Sequence, residues 1–210
     1  MLDGYVSEKE QIESLRKFWN EHGKFILIAV IIGLAIGFGW RYFHTLEKRR
    51  AENAAMVYQS IAQADAKGDF TTVEGGANIL RVHFSNTPYA SLASLLSAKE
   101  MVTKNDLSGA ISTLQWIVAH SDEQRLKQIA RIDLARIYLS QNNTAAAMTE
   151  LAVVNDKTFE PLIDWVKGDI NAQEHHAKEA RDYYEKAKNA LAEFPPAAKV
   201  LDKKIAQPIN

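Results

Sequence analysis

The chain contains no cysteine, so it has no disulfide framework, no thiolate nucleophile and no cysteine zinc knuckle, and its redox compartment stays open. It also lacks an excess of either charge: 25 basic and 26 acidic residues leave a net charge of -1. No single-sign field exists to gather nucleic acid, and no nucleic-acid partner is expected. Proline is scarce, five in 210 residues, and together with the alanine, leucine, lysine and glutamate content this favours an all-α protein.

Signatures of chemistry are missing as well. There is no phosphate-binding P-loop, dinucleotide fingerprint, HExxH or GxSxG, and Gly75-Gly76 follows no strand that would make it a phosphate loop. His175-His176 beside Glu174 is the best metal candidate. Neighbouring helical residues point about 100° apart, which suits an exposed turn better than a chelate. His22, His44, His83 and His120 are isolated near expected helix ends, Asp164 and Asp169 are scattered, and Trp116, Trp165, Tyr183 and Tyr184 read as inter-helix core. The sequence therefore predicts no catalytic residue, metal or cofactor. An enzyme assembled from scattered residues is the rival, and the histidine pair is its one visible candidate.

One long apolar run stands out. Phe25 to Trp40 carries no charge, and sixteen helical residues span about 24 Å. Extended to 23–43, the segment approaches the roughly 30 Å hydrocarbon thickness, with Lys24 and Arg41 able to snorkel at its ends. Phe18 and Trp19 on one side, and Trp40, Tyr42 and Phe43 on the other, fall where interfacial aromatic belts belong. The segment is predicted to cross a lipid bilayer. A cleavable signal would need a small-x-small site after its core, whereas WRYFHTLEKRR follows here. Ala29, Gly33 and Gly37 lie four apart, a small-residue ridge on which a second membrane helix is able to pack. Lys9, Arg16, Lys17 and Lys24 on one side balance Arg41, Lys48, Arg49 and Arg50 on the other, so the positive-inside rule returns a tie.

Ahead of the span, residues 7–24 place Ser7 and Glu10 in capping-box register and run Ile12, Leu15 and Trp19 along one face. A short amphipathic helix ending at Gly23 is expected, either lying on the membrane surface with Arg16 and Lys17 near phosphates or simply leading into the span. Residues 44–50 read as a basic linker.

From Ala51 onward, amphipathic helices alternate with small polar turns, Gly68-Asp69-Phe70, Asn105-Asp106-Leu107, Asn142-Asn143-Thr144 and His175-His176-Ala177. The spacings of 37, 37 and 33 residues are a helix-turn-helix period. Small residues recur ahead of the turn (Ala98, Ala135, Gly168) and behind it (Ala110, Ala147, Ala180), where paired helices must cross closely. The first repeat departs from this, with Ile61 and Val73 at those positions. About four helix pairs are expected in 51–210, followed by a C-terminal capping helix with Val200, Leu201 and Ile205 on one side. Its first helices should line a concave groove suited to a peptide. The candidates are Leu95, Lys99, Val102, Ile132, Arg136, Leu139, Trp165 and Asp169, with Ala172 beside them. The domain's own terminal helix is the other candidate to cover that wall.

Leu134-Ala135-x-x-Tyr138 with Ala147-x-x-x-Leu151, and Gly168 with Ala180-x-x-x-Tyr184, resemble the tetratricopeptide pattern. Together with FWNEHGK (18–24), GLAIG (33–37) and GWRYF (39–43), the whole layout resembles the YfgM family, ancillary subunits of the bacterial SecYEG translocon. The resemblance implies a short cytoplasmic tail (1–22), one inner-membrane helix and a periplasmic helical domain. It further implies association with the SecYEG translocon and with a membrane-anchored periplasmic chaperone of the PpiD type. The groove would then serve that chaperone or polypeptides in transit. The alternative is a cytoplasm-facing membrane-anchored tetratricopeptide adaptor unrelated to the translocon.

Overall fold

The computed structural model describes residues 8–207 as nine α-helices and one short 3-10 turn, with no strand among the described residues. Contacts divide the chain into two units between Arg50 and Ala51. Helix α1 (Glu8–Lys67) is continuous, and its first unit includes the stretch long and apolar enough to cross a membrane. The side chains of Phe25, Ile31, Ile36, Phe38 and Trp40 are all exposed. One expectation is corrected. The amphipathic helix does not stop at Gly23, whose backbone stays helical under the Trp19 indole, 3.3 Å from where a Cβ would stand. Residues 44–50 continue the same helix. Ser7, the expected cap, lies outside the described residues.

In the second unit the end of α1 pairs with α2 (Phe70–His83) through Ile61, Val73 and Ala77, α3 (Pro88–Thr103) pairs with α4 (Leu107–His120), α5 (Gln124–Ser140) with α6 (Thr144–Ala152), and α7 (Glu160–Gln173) with α8 (Ala177–Ala190). Helix α9 (Pro195–Ala206) covers α8. Each helix packs mainly on its neighbours in sequence, and the core passes from pair to pair. Trp116 touches both the first and second buried clusters, and Tyr138 the second and third. That is the quasi-linear packing of a repeat solenoid.

The turns between paired helices share one backbone solution. Gly68, Asn105, Asn142 and His175 all have φ between 62 and 71°, the left-handed residue that ends a helix. In each, that residue's N–H bonds the carbonyl three residues back and the next N–H the carbonyl five back, as in Asn105 to Val102 and Asp106 to Met101. The following residue then caps the next helix. Asp69, Asp106 and Asn143 each accept from a backbone N–H of the new helix's first turn. His176 has the same backbone conformation but makes no such bond. His176→Asp is therefore expected to raise stability by about 1 kcal/mol, readable as a shift in the urea midpoint.

The Thr72 hydroxyl and N–H both donate to Asp69 and hold its carboxyl below the ordinary 3.8. A depressed carboxylate contributes stability in full above its unfolded value and loses it as pH falls through the lower folded value. Asp69→Asn keeps the acceptor and should flatten the acid limb below pH 3.8. Urea midpoints at pH 5 and pH 3 for both forms check this; parallel acid losses would refute it.

Bulk and space have changed sides in the first pair. Ile61 is fully buried, and a Cβ on Gly76 would stand 2.5 Å from its Cγ1. The pair whose sequence departs most from the repeat thus closes because the glycine moved to the second helix. Gly76→Ala should cost about 1–3 kcal/mol. Adding Ile61→Ala removes the colliding atoms, so the double variant should lose less than the sum in a thermal melt. The last pair keeps the usual order: a Cβ on Gly168 would meet the buried Tyr184 ring at 2.5 Å.

Helix α9 buries Leu201 completely and half-buries Ile205, while Val200 is exposed. Val200 precedes Leu201 by one residue and so points about 100° away, off the expected face.

Candidate functional groove

Two cavities lie along the first helices of successive pairs. One, of about 470 Å³, is walled by Leu95, Lys99 and Val102 of α3 and by Asp133 and Arg136 of α5. The other, of about 670 Å³, is walled by Arg136 and Leu139 of α5, Asp169 and Ala172 of α7, and Lys204 of α9. Arg136 lines both, so the two lie side by side and together form a groove wall across three helix pairs.

Six of the eight sequence candidates line this groove: Leu95, Lys99, Val102, Arg136, Leu139 and Asp169. Two do not. Ile132 is 1 % exposed, locked among Ala135, Ala147, Leu151 and Val166. Trp165 packs on the cluster of Ala180, Tyr184, Ala187 and Leu201. Both stand three positions before the small crossing residue. At α3 that position opens on the groove, at α5 it is buried in the third cluster, and at α7 the half-buried Trp165 packs on the last cluster. Ala98, Ala110, Ala135, Ala147 and Ala180 are buried, as is Gly168. In the first unit, Gly33 and Gly37 have open space where a Cβ would stand.

The charges of the groove are already paired. Lys99 Nζ lies 3.0 Å from Asp65 and 3.6 Å from Glu100, and its hydrogen bond to Asp65 raises its pKa. Arg136 donates to Asp133 at 3.0 Å. Burial pushes the Asp133 carboxyl above the ordinary carboxylate value, against the opposing pull of Arg136. Asp169 accepts from the Tyr184 hydroxyl at 2.8 Å and lies 2.8 Å from Lys204 Nζ. Burial first, and then the Asp169 charge, raises the Tyr184 phenol far above its ordinary value. With its apolar walls, the groove is suited to holding a chain segment. A new contact to these charges would first break a ready-made pair, which offsets much of the gain.

Sequence reasoning missed Asp133, Tyr184 and Lys204. Asp133 was discoverable as the residue three before Arg136, a spacing that pairs side chains along a helix. Lys204 was not, since nothing in α9 records which wall it meets. The terminal helix does contribute to the groove: Lys204 and, just after the helix, Gln207 line it beside Asp169. Among the described residues no group of three His, Asp or Glu side chains is placed to hold a metal ion. His175 forms the left-handed turn, and His176 lies 3.7 Å from Glu174.

A family model described as tetratricopeptide repeat-like domain matches residues 16–207, which takes in the apolar stretch as well as the hairpins. The chain belongs to this tetratricopeptide repeat-like family. The Escherichia coli strain K12 protein named ancillary SecYEG translocon subunit is 28% identical over 184 residues, 88% of each chain. Its namesake in Haemophilus influenzae is 26% identical over 188 residues, covering 88% of this chain and 90% of the relative. The Neisseria gonorrhoeae protein of the same name is 22% identical over 206 residues, 97% of this chain and 98% of its own. No solved structure matches the chain.

Proposed function

We propose that this protein is a membrane-anchored, non-catalytic scaffold of the SecYEG translocon. Residues 23–43 cross the inner membrane, 1–22 form a cytoplasmic tail, 44–50 a basic connection, and 51–210 a periplasmic tetratricopeptide-like domain. The observation that carries the reading is the extent of similarity to proteins named ancillary SecYEG translocon subunit: it reaches 88% of both chains, so it includes more than the repeats. The exposed apolar surface from Phe25 to Phe43 supports the anchor, because such a surface is stable only when lipid or protein covers it. The ridge of Ala29, Gly33 and Gly37 gives the translocon's membrane helices a close approach. The groove from Leu95 to Asp169 receives a segment of a PpiD-type chaperone or of a translocating polypeptide. Tethering confines the domain to a thin layer beside the channel, so a weak groove contact gains from effective concentration.

The test is purification of the full chain from membranes in mild detergent, with and without exchange of 23–43 for an unrelated membrane helix. Recovery of translocon and chaperone with the native helix, and loss of the translocon after exchange, is the expected result. Recovery unchanged by the exchange removes the helix as docking element. A reporter fused after Asn210 that is active only in the cytoplasm overturns the orientation and leaves the cytoplasm-facing adaptor.

A further inference from the structure

We infer that Arg41 and Arg49 form a docking site for the headgroup of an anionic phospholipid, placed where α1 leaves its apolar stretch. The inference rests on the reading of 23–43 as a membrane span and adds a ligand to it. Phe38, Arg41, Tyr42, Thr45, Leu46 and Arg49 border a shallow groove of about 350 Å³ along one face of the helix. Helical periodicity sets Arg41 and Arg49 roughly 80° apart around the axis and about 12 Å apart along it. Among the described residues neither guanidinium has an ion-pair or hydrogen-bond partner. The segment's one acid, Glu47, lies instead 3.8 Å from His44. The Thr45 hydroxyl donates to the Arg41 carbonyl at 2.8 Å, which leaves anion recognition to the two arginines.

The chemistry fits a phosphodiester attached to acyl chains better than a free anion. Guanidinium groups bind phosphate oxygens through paired N–H donors. The Phe38 side of the groove continues into the exposed apolar surface of the span, where acyl chains lie. A free phosphate has no use for that surface. A zwitterionic headgroup brings an ammonium toward Arg41, Lys48, Arg49 and Arg50, whereas an anionic one meets charge of opposite sign.

The full chain, reconstituted with equal phosphatidylglycerol and phosphatidylcholine and released from nanodiscs, is examined by native mass spectrometry for retained lipids. Wild type is expected to retain phosphatidylglycerol roughly thirtyfold over phosphatidylcholine, from roughly 1 kcal/mol of attraction for each of the two arginines at the surface. The double variant Arg41→Gln, Arg49→Gln should lose the preference, and Arg16→Gln, Lys17→Gln should keep it. The site is overturned if the first variant keeps the preference or the second loses it equally. It is also overturned if inorganic phosphate abolishes the preference, which marks a free-anion site. Carbonate extraction of the same chain separates the two readings. Release into the supernatant sinks the span and this site together; a carbonate-resistant chain without lipid preference sinks the site alone.

Discussion

Ile32→Lys together with Ile36→Lys will release the full chain from the membrane fraction. Both side chains are exposed, and they lie one turn apart near the middle of the apolar stretch. Each lysine at that depth costs about 2.5–3.5 kcal/mol on insertion scales, roughly 5–7 kcal/mol for the pair if they act independently. The apolar gain of a single span does not absorb such a loss with a comfortable margin. The matched control is Ile12→Lys with Leu15→Lys, equally exposed but ahead of the span, where lysine remains in water or at headgroups. Carbonate-resistant sedimentation is the readout. If the central pair stays in the pellet as fully as the control, the stretch is held by protein contacts and lipid insertion is not what anchors it.

In the second unit the largest effect is expected at the junction of the second and third helix pairs. Leu134 is 1 % exposed and packs with Ala98, Ala110, Leu114, Ile117 and Ala130. Leu134→Ala removes its share of apolar burial and leaves a cavity, for about 2–5 kcal/mol. For a domain of this size that is roughly 4–20 °C in Tm. A solenoid has few contacts beyond nearest neighbours, so the damaged junction should also uncouple the two halves and broaden the melt. Leu139→Ala, on the groove wall, is the comparison, with a smaller loss and an unbroadened transition. Equal losses would mean that the groove wall is part of the core, which would remove it as a binding surface.

The groove shows how close packing limits a repeat register. Reading one or four positions past the small residue gives Lys99, Val102, Arg136 and Leu139 correctly, because α3 and α5 present the same face along the solenoid. Reading three positions before it works for Leu95 and fails for Ile132 and Trp165, since those two side chains pack into the third and last buried clusters. Such differences between equivalent repeat positions come from neighbours distant in the chain.

By itself the sequence determined the period, the positions of the polar turns, and the apolar run. Those rest on local physics: φ at Gly68 and Asn105, an acceptor at Asp106, side chains without charge from Phe25 to Trp40. Only the tertiary structure decided that Gly76 makes room for Ile61, that Gly23 lies inside a continuous helix under Trp19, and that Lys204 of the terminal helix meets Asp169 on the groove wall. Each of these depends on where one side chain sits against another in three dimensions, and spacing along the chain does not encode that distance.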